Sequence, residues 1–226
     1  MMNSEKVIIF DLDGTLLNTL DDLTDCVNYM LERYGFSPRS RSDIRRFLGN
    51  GARNLIERSL DGGLAGDDFE RFLEEYKAYY EQNSGVKTAP YDNLVDLIGR
   101  LRKRGFKIAV VSNKPDGAVQ SLCELYFPGL VDFAVGDRED ICRKPSADPV
   151  LLAMKTLGCD EAVCIGDSEV DIQTAKNAGV PCVCVTWGFR DRDELIECGA
   201  DYLADSADGL EAILLDILTK TGERTE

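Results

Sequence analysis

The chain has 226 residues, enough for one large domain or one domain carrying a smaller insertion, and its 44% hydrophobic content suffices for a sizeable core. Its net charge of −15 argues against nucleic acid or an anionic membrane surface as a partner, since both call for a basic face. It contains no histidine, which excludes a Ser-His-Asp triad, a Cys-His pair and an H-E-x-x-H zinc site; acid–base work near neutral pH falls to carboxylates, lysine, tyrosine or metal-bound water.

From Met1 the chain runs almost at once into K-V-I-I-F, residues 6–10, a β-branched apolar run ending at Asp11 that reads as a buried parallel strand. No signal peptide precedes it and no apolar run has the length of a membrane span, so the cytoplasm is the expected location. Residues 17–88 break the pattern, with no convincing strand. Leu20, Leu23, Val27, Met30, Leu31 and Tyr34 form a helical stripe, and residues 44–48, 55–60 and 69–80 give three more helical segments. Afterwards strand-like runs (107–111, 132–135, 162–165, 182–185 and 202–203) alternate with helical ones (93–104, 149–157, 170–178 and 209–218). Gly105, Gly158 and Gly179 follow helices where a left-handed cap is expected. This alternation predicts an α/β fold: a doubly wound, mostly parallel sheet with helices on both faces. The expected organisation is an α/β core of residues 1–16 and 89–226, with an all-helical cap, residues 17–88, inserted after the first strand. Two linkers, near 16–19 and 85–90, would let the cap hinge over the strand ends. Residues 220–226 read as a disordered tail.

The eight cysteines include no C-x-x-C pair and are expected to be buried reduced thiols, which suits a reducing compartment.

In an open parallel sheet, ligands bind beyond the carboxyl ends of the strands. Asp11 stands past the first strand, Ser112-Asn113-Lys114 past the K-I-A-V-V run, and Asp167 past V-C-I-G with Asp171 one turn later. Asp11 and Asp13 would repel each other and Asp167 unless a cation sits among them. Few hard oxygen ligands suit Mg²⁺, which keeps waters and a phosphate oxygen, neutralises phosphoryl charge and leaves Asp11 ionised as a nucleophile. Thr15 and Ser112 offer hydroxyls, and Lys144, in Arg143-Lys144-Pro145-Ser146, is the best distant cation for phosphate. Taken singly, D-x-D-G-T also fits a calcium loop or turn, Asp167 and Asp171 a helix cap, and Lys144 a solvated side chain. Their joint placement at successive strand ends favours chemistry.

These motifs, V-I-I-F-D-L-D-G-T-L, V-V-S-N-K, R-K-P and I-G-D-S-E-V-D in that order, resemble those of the haloacid dehalogenase superfamily, specifically its phosphatases with a helical cap after the first motif. The resemblance implies that Asp11 attacks phosphorus to form a phosphoaspartate, and that Asp13 protonates the leaving alkoxide and later takes a proton from water. It implies that Asp11, the Asp13 carbonyl and Asp167 bind Mg²⁺ with Asp171 in support, and that Ser112, Asn113 and Lys144 hold the phosphoryl group. Asp13 favours phosphoryl transfer over carbon–halogen cleavage. In the cap, Gly49-Asn50-Gly51 before a helix leaves backbone N–H groups free for an anion, and Arg53 in the first turn is the candidate carboxylate clamp. This stretch and Thr186-Trp187-Gly188-Phe189 are similar to phosphoglycolate phosphatases. The expected substrate is therefore a small phosphorylated acid, in a monomer or homodimer. Pyrophosphatase, sugar-phosphate and nucleotide phosphatase remain as alternatives. β-Phosphoglucomutase is disfavoured because that branch uses a cap histidine. A phospho-accepting receiver module, from a different class, is roughly half this length and has no cap.

Overall fold

The structure, a computed structural model, describes residues 5–220. Its strands are β1 (Lys6–Phe10), β2 (Leu17–Asn18), β3 (Ala89–Pro90), β4 (Lys107–Pro115), β5 (Phe133–Asp137), β6 (Glu161–Gly166), β7 (Cys182–Val185) and β8 (Tyr202–Ala204). Its helices are α1 (Leu20–Arg33), α2 (Arg41–Phe47), α3 (Gly51–Leu60), α4 (Gly66–Asn83), α5 (Leu94–Lys103), α6 (Asp116–Tyr126), α7 (Asp148–Leu157), α8 (Glu169–Ala178), α9 (Arg192–Glu197) and α10 (Ala207–Lys220).

Six strands form one sheet in the order β5-β4-β1-β6-β7-β8, and every neighbouring pair is parallel. The side-chain period of two explains why β1 is apolar throughout. Ile8 and Phe10 join the apolar cluster under α5, α6 and α10, while Val7 and Ile9 join the opposite one with Val150, Ala153 and Ala175 of α7 and α8. The chain leaves β1 for β4 and β5 on one side and returns to β6 on the other. β1 therefore lies at the switch point, where a crevice opens beyond the carboxyl ends.

Helices α1 to α4 form a separate apolar cluster built from Leu23, Val27, Met30, Ile44, Ile56, Phe72 and Tyr76 among others. Ala118 and Phe189, from the sheet layer, also belong to it, so the helical unit is seated on the sheet. Its two connections are joined to one another, because β2 pairs antiparallel with β3. Asp22, buried in α1, accepts hydrogen bonds from the Lys87 and Thr88 amides at 2.8 to 3.0 Å and from the Thr88 hydroxyl at 2.7 Å, which fastens the second connection to the first helix.

Several features differ from the sequence reading. The β2–β3 pair is too short to carry an alternation signal. Helix α6 begins within Pro115-Asp116-Gly117, which has the composition of a turn; burial of Ala118, Val119, Leu122 and Cys123 makes it a helix. Helix α9 buries Leu195 alone and so shows no stripe. The cysteines are unpaired, but Cys142 and Cys198 are exposed rather than buried. Of the expected tail, Lys220 belongs to α10 and residues 221–226 lie outside the described residues. Gly105, Gly158 and Gly179 all take positive φ, as expected. Among the described residues, no helix is long and apolar enough to cross a membrane.

Candidate active site

After β1 the backbone closes into a single turn in which the Leu12 carbonyl accepts from the amides of Leu16 and Leu17 at 3.0 and 2.9 Å. This turn buries Leu12, Leu16 and Leu17 under the sheet and leaves Asp11 and Asp13 at the crevice. Two cation–carboxylate groups lie there.

In the first, Lys144 is buried and donates to Asp171 Oδ1 at 2.7 Å. Its Nζ also stands 3.0 Å from Asp11 Oδ1. That ammonium is the one polar group of the described residues against this buried carboxylate oxygen. Burial opposes the charge of Lys144, but Asp11 and Asp171 outweigh it and hold the ammonium above its ordinary value. Burial lifts the Asp11 carboxyl to about 6, with Lys144 pulling it down and Asp171 and Asp13 pushing it up. Asp171 also accepts from the Asp167 and Ser168 amides and the Ser168 hydroxyl, and its carboxylate caps α8.

Asp167 is enclosed between glycines. A Cβ on Gly14 would stand 2.3 Å from its Oδ2, and one on Gly188 2.3 Å from its Cβ. Its oxygens accept from the Thr15 hydroxyl at 3.1 Å and the Phe189 amide at 2.7 Å. Burial first, then Asp171 and Asp11, raise its carboxyl well above the usual range. Oxygens of Asp11, Asp167 and Asp171 lie within 4.8 Å of one another. Three crowded carboxylates, one of them hemmed in by glycine backbone, form a hard-oxygen donor set that suits a small divalent cation.

In the second group, Lys114 Nζ donates to Asp13 Oδ1 and Oδ2 at 2.8 and 3.1 Å, and to the Tyr80 hydroxyl of α4. The same ammonium lies 4.4 Å from the Tyr80 ring centroid.

Both groups open into one cavity of about 50 Å³ between sheet and helices. Of the residues singled out from the sequence, Asp11, Asp13, Ser112, Asn113, Lys144, Asp167, Gly49 and Gly51 line it. Asn113 donates to the carbonyls of Lys144 and Gly49 at 3.0 and 3.3 Å, tying strand, loop and helical unit together. Thr15 and Asp171 do not line the cavity and act behind it, on Asp167 and Lys144. Asn50 takes the N-cap position of α3 without a capping side-chain bond and is not in the lining. Arg53 is also outside it. Its guanidinium is exposed, bidentate to Glu70 at 2.9 and 2.6 Å, and stacked over Phe69, because the first turn of α3 turns that face outward.

Lys114, Tyr80 and Arg190 are among the lining residues given no role from the sequence. Lys114 closes the V-V-S-N-K string, and Arg190 follows Thr186-Trp187-Gly188-Phe189 by one residue, so each adjoins a motif. Arg190 donates to both Glu169 oxygens at 2.8 and 3.0 Å and to the Leu48 carbonyl at 2.9 Å. Tyr80 had only its place in a helical stripe.

A sequence model of the haloacid dehalogenase-like hydrolases matches residues 8–185. The chain belongs to this family. It is 33% identical to a phosphoglycolate phosphatase of Mesorhizobium japonicum over 84% of this chain and 86% of that one, and 34% identical to one from Rhodospirillum rubrum over 86% and 85%. A crystal structure of a candidate phosphoglycolate phosphatase from Lactobacillus delbrueckii subsp. bulgaricus superposes with a TM-score of 0.89 at 38% identity, covering 93% of this chain and 98% of that chain. This member of the haloacid dehalogenase-like hydrolases is a phosphatase.

Proposed function

We propose that the chain is a Mg²⁺-dependent phosphomonoester hydrolase working through a phosphoaspartate on Asp11, with 2-phosphoglycolate or a similar small phosphorylated acid as substrate. The observation that carries the reading is that two separately held carboxylates line one cavity: Asp11 beside Lys144, and Asp13 on Lys114.

Asp11, the backbone carbonyl of Asp13 and Asp167 would hold the metal, with Asp171 behind them. When bound, the ion neutralises phosphoryl charge and keeps Asp11 ionised despite the burial that lifts its carboxyl. An Asp11 oxygen attacks phosphorus while Lys144 and Ser112 hold phosphoryl oxygens. The ester P–O bond breaks, and Asp13 gives its proton to the departing alkoxide. A water then attacks the phosphoaspartate phosphorus and surrenders its proton to Asp13. Inorganic phosphate departs and the Asp11 carboxylate returns.

The helical unit, residues 17–88, acts as a cap that excludes water from this cavity, with the paired connections as its hinge. Arg190 and the backbone of Gly49 and Gly51 are the groups available to a substrate carboxylate. The size of the cavity supports a small substrate, and the named relatives support phosphoglycolate.

Initial rates with Mg²⁺ across 2-phosphoglycolate, sugar phosphates, nucleotides and pyrophosphate test the reading. Phosphoglycolate is expected to lead in kcat/KM. A preference of roughly tenfold or more for a substrate without a carboxylate overturns it, since a charge-assisted hydrogen bond to that group is worth at least this much.

A further inference from the structure

The two halves of the cavity are held by different parts of the molecule. Every polar contact of Lys144, Asp171 and Asp167 described above comes from the sheet layer and its loops. Asp13 is held by Lys114, and Lys114 is held in turn by a residue of the helical unit, Tyr80. The Lys114 side chain is 1% exposed, so no bulk water shares its donors. Tyr80 is itself 2% exposed within the apolar cluster of α1 to α4, and its ring covers the ammonium at 4.4 Å. The contact exists only while α4 lies against β4.

We infer that Lys114 is a positioning residue through which the seating of the helical unit on the sheet, by way of Tyr80, sets the carboxyl of Asp13 in place for proton transfer. The inference rests on the reading of Asp13 as the proton donor and extends it. Burial, followed by the charge of Asp13, keeps the Tyr80 phenol protonated, so it remains a neutral acceptor for the lysine. With the unit lifted away, Lys114 loses its aromatic cover and hydroxyl acceptor and gains water in their place, and it then swings with Asp13 rather than fixing it. The nucleophile side keeps its contacts in either position. Ester cleavage that depends on a proton from Asp13 is thereby confined to the closed enzyme, where the substrate is shielded from water.

The test uses leaving groups. An alkyl phosphate needs a proton on the departing oxygen, whereas p-nitrophenolate leaves without one. In a reaction that passes through a phosphoenzyme, kcat/KM reports the first cleavage and not the later attack of water. The full-length enzyme with Mg²⁺ is assayed on ethyl phosphate and p-nitrophenyl phosphate, neither of which carries a carboxylate. The readout is the ratio of the two kcat/KM values. Asp13→Asn is expected to lower this ratio about a hundredfold, as for loss of a general acid. Lys114→Met is expected to lower it at least about tenfold, and Tyr80→Phe, which keeps the ring and removes the hydroxyl, roughly three- to tenfold, because displacing a reacting group by a fraction of an ångström has costs of this order. If Asp13→Asn shifts the ratio while Lys114→Met and Tyr80→Phe both leave it within about twofold of the parent, the inference falls and the acid assignment stands. If Asp13→Asn does not shift it, the acid assignment falls and takes the inference with it. Should Lys114→Met fail to fold, Tyr80→Phe alone decides by the same threshold.

Discussion

The sheet layer and the helical unit line the same cavity with different chemistry. From the sheet layer come Asp11, Asp13, Lys114, Lys144, Asp167 and Arg190, every charged side chain in the lining. From the helical unit come Leu23, Leu48, Ala52, Leu55, Tyr76 and Tyr80, together with the backbone of Gly49 and Gly51. The helices therefore contribute apolar walls, backbone and one hydroxyl contact, and every charged group in the lining belongs to the sheet layer. Arg53, the expected carboxylate clamp of the inserted helices, lies outside this lining. The physical reason is the amphipathic pattern of α3, which buries Ala52, Leu55 and Ile56 and leaves Arg53 to pair with Glu70 outside.

The largest expected effect bears on the sheet side. Asp11→Asn should cut turnover by about a thousandfold or more, because a neutral amide cannot serve as the nucleophile. Retained turnover would remove Asp11 from that role and leave the comparison without its chemical half. Next comes Gly188→Ala. Its φ is ordinary, but the new Cβ would stand 2.3 Å from the Asp167 Cβ. Asp167 is pinned by the Thr15 hydroxyl and the Phe189 amide, so it cannot yield without losing a bond. The Mg²⁺ concentration for half-maximal turnover should rise roughly tenfold or more, the usual cost of displacing groups that orient a metal ligand. An unchanged Mg²⁺ dependence would detach Asp167 from the metal.

The same contrast explains what was legible in advance. Asp11, Ser112 and Asp167 each follow an apolar run that ends at a sheet edge. Periodicity and strand ends alone bring them together, because a parallel sheet aligns all its carboxyl ends. Lys144 is on no strand, yet its place in R-K-P marked it. Lys114 was in view within V-V-S-N-K, but its function depends on Tyr80, which lies 34 residues away in sequence. Tyr80 itself was one aromatic among several in a helical stripe, and no local pattern separates a tyrosine that packs from one whose hydroxyl meets a lysine. Arg53 had the converse history: a favourable position in a first turn, overruled by a bidentate partner one helix on. Side-chain pairings across separately folded layers are tertiary facts, and the helical unit is where they decide most.

The smallest effects are expected for a matched pair of arginines. Arg190 and Arg53 are both arginines with a bidentate carboxylate partner, Glu169 and Glu70 respectively. Only Arg190 lines the cavity. Burial works against the Glu169 carboxylate, but Arg190 outweighs it and holds that group below its ordinary range, so the pair stays charged beside the substrate space. If charge recognition belongs to the sheet layer, Arg190→Met should raise KM for 2-phosphoglycolate about tenfold, the scale of one charge-assisted hydrogen bond, with a smaller rise for p-nitrophenyl phosphate, which has no carboxylate to lose. Arg53→Met should change KM for either substrate by less than about twofold, since an exposed ion pair outside the cavity contributes little. An equal rise for the carboxylate and the aryl substrate in Arg190→Met would mean that Arg190 acts through its bond to the Leu48 carbonyl, holding the helical unit shut rather than reading charge. A large selective rise in Arg53→Met would return substrate recognition to the helices, and would require α3 to rotate on closing so that Glu70 releases its partner.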